Sequence, residues 1–163
     1  MMQNPNSPAV EDAGHPRSIE SLVLFRMSKV LSIGGSLVTR LCEGQFGISR
    51  REWAVLSILA TQPQMPWSEL ARRMELDSPR LSRAVSSLVS KGLAIKSGTG
   101  RQLCLSLTES GRQRYGQIFP LAHAINQAIV QDLDAASLQT LDRALSLLHQ
   151  RASQLPEELT LPK

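Results

Sequence analysis

The residues best suited to chemistry in this 163-residue chain lie between Ser68 and Arg101, and the chemistry is recognition rather than catalysis. In the run Asp77-Ser78-Pro79-Arg80-Leu81-Ser82-Arg83-Ala84-Val85-Ser86, arginines and short hydroxyls recur at spacings that put Arg80, Ser82, Arg83 and Ser86 on the outer side of a helix. A guanidinium offers paired N–H donors that match phosphate oxygens or the O6/N7 edge of guanine, and serine lets a backbone come close to either. Arg101 adds one cation on the glycine-rich tip Ser97-Gly98-Thr99-Gly100-Arg101-Gln102. Nothing comparable serves catalysis. His15, His123 and His149 are scattered, Cys42 and Cys104 lack CxxC or Cys/His spacing, and no glycine-rich phosphate loop occurs. The sequence therefore predicts no enzyme, no cofactor and no metal site.

The elements that must carry these residues follow from periodicity and turn chemistry. Leu70, Ala71 and Met74 form a buried stripe on a helix that ends near Leu76, with Glu69, Arg72 and Arg73 on its wet side. Asp77 or Ser78 caps the next helix, and Pro79 suits its first turn, so that helix is expected to start at Pro79. Leu81, Val85 and Leu88 are its apolar stripe, and Gly92 stops it. Ala94 to Lys96 and Leu103 to Leu107 then read as two strands joined by the flexible tip. Each part alone would also pass as a surface helix or hairpin. Together, a helix, a tight turn, a second helix opening on arginine and serine, and a basic-tipped ribbon suit a helix in a DNA major groove with the ribbon at the neighbouring minor groove.

Charge agrees with that placement. The net charge is +4, and from Trp67 to Arg114 nine Lys/Arg stand against four Asp/Glu, whereas the segment from Tyr115 to Lys163 is net acidic. The excess sits on the proposed reading segment, as a footprint for phosphates would. No apolar run approaches the roughly 20 residues that span a bilayer, and the N-terminal segment lacks a signal-peptide pattern, which predicts a cytoplasmic protein.

Around this segment lie longer helices. Residues 1–17 read as a flexible arm or a short leading helix. Ser18 to Cys42 reads as one long helix with the stripe Ile19, Leu22, Arg26, Val30, Ile33, Leu37 and Leu41, interrupted by a single charge at Arg26. Gly34 and Gly35 each cost such a helix roughly 1 kcal/mol, so close packing or a bend is expected there. Gly44 to Gly47 reads as a loop, and Ser49 with Glu52 as a capping box for a helix to about Ala60 with Trp53, Leu56 and Leu59 inward. Thr108 caps a helix that runs towards Asp132 through Pro120, where a kink is expected, and Asp134 caps a last helix carrying Leu138, Leu141, Leu145, Leu148 and Ala152, ended by Pro156. The two long stripes lie at opposite ends of the chain and need a second copy to cover them, which predicts a homodimer.

These motifs together resemble the MarR family of winged helix-turn-helix regulators. The resemblance rests on Ser68-Glu69-Leu70-Ala71, on Leu76-Asp77-Ser78 with Leu81-Ser82-Arg83, on Lys91-Gly92-Leu93, and on Leu107-Thr108 with Gly111. The family's wing aspartate is replaced by Thr99, so an Asp–Arg brace is not carried over. The resemblance implies a mainly α fold with a small two-stranded β-wing: a winged helix-turn-helix over 49–114, a helical dimerisation region over 18–48 and 115–156, and a tail from 157 to 163. It implies a homodimeric regulator, most simply a repressor, that binds double-stranded DNA at a pseudo-palindromic operator through Ser68, Ser78, Pro79, Arg80, Ser82, Arg83 and Arg101. Because effectors of such families lie between the dimerisation helices and the winged domain, it also implies release by a small aromatic carboxylate bound by Arg26, with Trp53 as a wall and His15 as a second polar contact. An ion pair of Arg26 with Glu43, Glu52 or a partner acid is the structural alternative. A thiol-responsive regulator and a winged-helix protein-interaction module are the alternative functions.

Overall fold

The computed structural model describes residues 18–75 and 77–158, the last three in backbone only. The arm before Ser18, including His15, Leu76 of the turn, and residues 159–163 lie outside them. Two compact units divide between Ile125 and Asn126, within a long helix.

In the first unit, a 3-10 turn over Ile19–Ser21 precedes helix α1, Val23–Phe46. The helix therefore begins five residues later than its periodicity predicts. Ser21 Oγ donates to the Ser18 carbonyl, a local bond of the kind that competes with helix, and Leu22 is extended at φ −66° and ψ 129°. At its other end α1 runs on through Gly44, where the sequence predicts a loop. Gly47 adopts the left-handed conformation and its N–H returns to the Cys42 carbonyl, so the stop signal is the second glycine and not the first. Helix α2, Arg50–Leu59, has the expected capping box: Ser49 Oγ accepts from the Glu52 N–H at 3.3 Å, and the Glu52 carboxylate accepts from the Ser49 N–H at 2.7 Å.

The next elements are β1 (Met65–Pro66), α3 (Trp67–Met74), α4 (Ser78–Ser90), β2 (Ala94–Ser97) and β3 (Cys104–Leu107). The sheet is antiparallel in the order β1-β3-β2, with Met65 opposite Leu105 and Ala94 opposite Leu107. The ribbon thus has a third, two-residue strand that the sequence pattern hides. Met65 is fully buried and Pro66, which has no N–H to give, sits on the outer edge. The core is Ile48, Val55, Leu56, Leu59, Met65, Leu70, Leu81, Val85, Leu88 and Leu105, each at most 1% exposed. It joins α2, α3, α4 and the sheet, and Cys42 and Ile118 extend it to α1 and the next helix.

Helix α5, Glu109–Val130, continues through Pro120 and crosses into the second unit. Thr108 Oγ1 accepts from the Gly111 N–H at 3.0 Å and donates to the Gly92 carbonyl at 2.7 Å, capping α5 and tying it to the end of α4. Gly111 leaves no choice of residue, because a Cβ there would overlap the carbonyl oxygen of Leu93. The last helix, α6, spans Ala135–Glu158 and is capped by Asp134, which accepts from the Ser137 N–H at 2.7 Å. It outlasts Pro156, the predicted stop, since proline's fixed φ is itself helical and the ring forfeits only one hydrogen bond in the last turn.

Candidate nucleic-acid interface

Helix α4 is positioned by its own sequence. Asp77 is the cap, its side chain accepting from the Arg80 N–H at 2.8 Å, so Ser78 and Pro79 are the first helical residues and the helix starts one residue earlier than expected. Leu81, Ala84, Val85 and Leu88 are buried. Ser78, Pro79, Arg80, Ser82, Arg83 and Ser86 are exposed. At 100° per residue this leaves two edges: exposed Pro79, Ser82 and Ser86 along one, and exposed Arg80 and Arg83 with half-buried Ser87 along the other, with Arg83 next to both. Arg80 Nε pairs with Asp77 at 3.0 Å, and Arg83 Nε donates to the Pro79 carbonyl at 3.2 Å. Neither contact is buried, and exposed pairs of this kind give way readily to a stronger anion.

Helix α3 ends at Glu75, among the described residues the one non-glycine with positive φ, at 49°. Its surface arginines are engaged within the helix, Arg72 and Arg73 converging on Glu69 at 2.8 and 2.6 Å. Those bonds hold the Glu69 carboxyl below its usual range. Ser68 is exposed on the first turn of α3. Arg101 is exposed in a 3-10 turn, Gly100–Gln102, that shapes the wing tip. Gly98 is required there by its φ of 75°, since a Cβ would run into the Gln102 carbonyl.

A feature that sequence reading missed holds α4 at its far end. Glu52, 4% exposed, accepts from Lys91 Nζ at 2.7 Å, and the same ammonium donates to the Gly47 carbonyl at 2.7 Å. Burial works against ionisation of Glu52, but hydrogen bonds from Lys91, Ser87 and Ser49 outweigh it and hold the carboxyl below its usual range. Arg114 of α5 donates to the neighbouring Phe46 carbonyl at 2.8 Å. The α1–α2 corner is thus bonded to both α4 and α5. The only sequence signal was Glu52 itself, already assigned to the capping box.

Of the other predicted residues, Arg26 and Trp53 lie on different helices, α1 and α2, and His15 is outside the described residues. Arg26 is exposed on α1. Trp53 is half-buried and stacks on Tyr115 at 5.8 Å, the start of a ladder continuing to Phe119 at 5.3 Å and His123 at 6.1 Å. Glu52, one alternative partner for Arg26, is taken by Lys91. Cys42 is fully buried and Cys104 half-buried. Burial, and then the charge of Glu43, push the Cys42 thiol up. Among the described residues no helix is long and apolar enough to cross a membrane.

A helix-turn-helix whose second helix exposes arginine and serine, followed by a hairpin packed on the same core, is a winged helix-turn-helix. Residues 46–102 match the model of the MarR family. The fold extends the likeness beyond that segment. A MarR-family transcriptional regulator from Silicibacter pomeroyi superposes with a TM-score of 0.74 at 22% identity, over 86% of this chain and 96% of that one. A MarR transcriptional regulator from Methanosarcina mazei gives 0.75 at 16% identity, over 90% and 99%. One from Rhodococcus gives 0.73 at 17%, over 81% and 96%. No curated protein matches in sequence.

Proposed function

We propose that this protein is a homodimeric transcriptional regulator, acting as a repressor, that binds a pseudo-palindromic operator in double-stranded DNA. The observation that carries the reading is the division of α4: its apolar stripe is locked into the core while Pro79, Arg80, Ser82, Arg83 and Ser86 stand exposed at the end that enters a major groove. Ser68 and Ser78 contact phosphates beside it, and Arg101 on the wing anchors to the adjacent minor groove or its phosphates. Binding of the purified protein to duplex DNA should weaken steeply with salt, whereas a winged helix used for protein docking would show no such dependence on DNA.

The dimer is supported by apolar surface left uncovered. On α1, Leu24 is 76% and Ile33 71% exposed, with Val30 and Leu31 beside them. On α6, Leu138, Leu141, Leu145 and Leu148 are all exposed. Stripes of this extent on long helices call for a second copy. Among the described residues nothing lies within 4 Å of a Cβ built at Gly35, so in this reading the close packing that would explain this glycine falls to the partner. A two-fold dimer sets the two α4 helices about 34 Å apart, one turn of duplex.

Release by a small aromatic carboxylate is the regulatory part of the proposal. Arg26 stands among apolar residues that dimerisation would cover, where a guanidinium needs an anion. In this reading it binds the ligand carboxylate by two parallel hydrogen bonds, with Trp53 as a wall and His15 as a second contact. Arg26→Ala should give a dimer that still binds DNA but is no longer released by aromatic acids. Loss of folding in that variant, or an unchanged response to every acid that releases the parent, would refute it.

A further inference from the structure

Between the first turn of α2 and the Arg80–Arg83–Ser87 edge of α4 lies an open concavity of about 540 Å³. Its lining includes Arg51, Arg80, Arg83, Ser49, Ser87 and Glu52. The one acid among them is withdrawn, its carboxylate held by Lys91 and the Ser49 N–H. Three guanidinium groups remain, of which Arg80 is shared with Asp77 at 3.0 Å on the exposed side. Arg51, and the terminal nitrogens of Arg83, find no acceptor among the described residues. The concavity therefore carries a net positive charge, and no acid among the described residues answers Arg51 or Arg83.

Its position decides which anion fits. A helix with its side chains is about 10–12 Å across and the major groove about 12 Å wide, so a helix seated there is flanked on both edges by the phosphate walls. If Pro79, Ser82 and Ser86 face the bases, the edge formed by Arg80, Arg83 and Ser87 faces one wall, and Arg51 faces the same wall from α2. We propose that this concavity receives a DNA backbone phosphate, with Arg51 as an anchoring cation supplied from outside the helix-turn-helix. The contact is sequence-independent and rests on the DNA-binding function proposed above.

The test is a salt titration of binding to two duplexes, a random-sequence 30-mer and a genomic fragment retained by the purified protein. Loss of one phosphate contact lowers the slope of log affinity against log salt by about 0.9, so between 50 and 200 mM salt Arg51→Ala should lose roughly 3-fold less affinity than the parent. At 50 mM it should bind both duplexes several-fold more weakly. Arg51→Lys, which keeps the charge, should restore most of the slope. Arg51 is exposed and alanine is a strong helix former, so the variant should keep the parent's circular dichroism and melting temperature. A parental slope in Arg51→Ala, or a loss confined to the genomic fragment, would overturn the phosphate contact while leaving DNA binding intact. A parent that binds neither duplex in a salt-dependent way would overturn both.

Discussion

Replacing Glu52 by glutamine removes one charge and almost no volume from the corner that holds α1, α2 and α4 together. The Glu52 side chain is 5% exposed and that of Lys91 37%, so the pair is sheltered on one side only. Breaking a fully buried pair costs about 3–5 kcal/mol, and the freedom of Lys91 to turn towards water brings the expected cost of Glu52→Gln to about 2–3 kcal/mol. For a chain of this size that is a fall of roughly 5–10 °C in melting temperature. Lys91→Met, which strands the carboxylate instead, should cost more, and the double variant less than the two singles together. The pH dependence has a definite sign. Because the folded Glu52 is more acidic than its unfolded value of about 4.3, its stabilisation is fully present above that pH and is lost as the pH falls through the folded pKa. Urea unfolding of parent and Glu52→Gln should therefore differ most at pH 7, and the difference should shrink as the pH falls below about 4.3. A difference under about 0.5 kcal/mol at pH 7, or one that stays constant down to pH 3, would refute the reasoning.

Arg83→Ala should weaken binding by about 1–3 kcal/mol and relax sequence preference if its guanidinium reads a guanine, whereas Arg101→Ala should weaken all sequences alike; full affinity in an Arg80/Arg83 double alanine variant would refute the assigned face. Gly111→Ala should destabilise by about 1–3 kcal/mol because its methyl meets the Leu93 backbone, and unchanged urea unfolding would show that the α5 start can move. Sedimentation of the full chain should give twice the 17.9 kDa chain mass, and a folded monomer at micromolar concentration would contradict the interface drawn from α1 and α6. Cys42, buried and with its thiol pushed up, should resist alkylation at pH 7 until the protein unfolds, with Cys104 modified first; rapid labelling of native Cys42 would reopen a thiol-sensing role.

What could be seen in the sequence was what local chemistry decides. Asp77 and Pro79, Ser49 and Glu52, Thr108 and Asp134 mark helix starts because capping is settled within a turn of chain. The apolar spacing of Leu81, Val85 and Leu88 separated the inner side of α4 from its exposed residues in the same way. What stayed hidden depends on distant partners. Met65 and Pro66 are too short to show alternation and become a strand only through Leu105 and Cys104. Glu52 and Lys91 are 39 residues apart, and Arg114 reaches Phe46 across 68, so neither contact leaves a local pattern. The turn over Ile19–Ser21 and the continuation of α1 past Gly44 lie at helix ends, where a few hydrogen bonds outweigh periodicity. The concavity beside Arg51 needs α2 and α4 brought side by side, which a single run of sequence does not reveal.

The most direct measurement is sequencing of genomic fragments retained by the purified full-length protein across a salt gradient. A two-fold pair of α4 helices one duplex turn apart predicts enrichment of an inverted repeat with half-site centres about 10–10.5 bp apart, and retention that falls steeply with salt. Retention of no fragment above background, or of fragments sharing no repeated half-site, would contradict it.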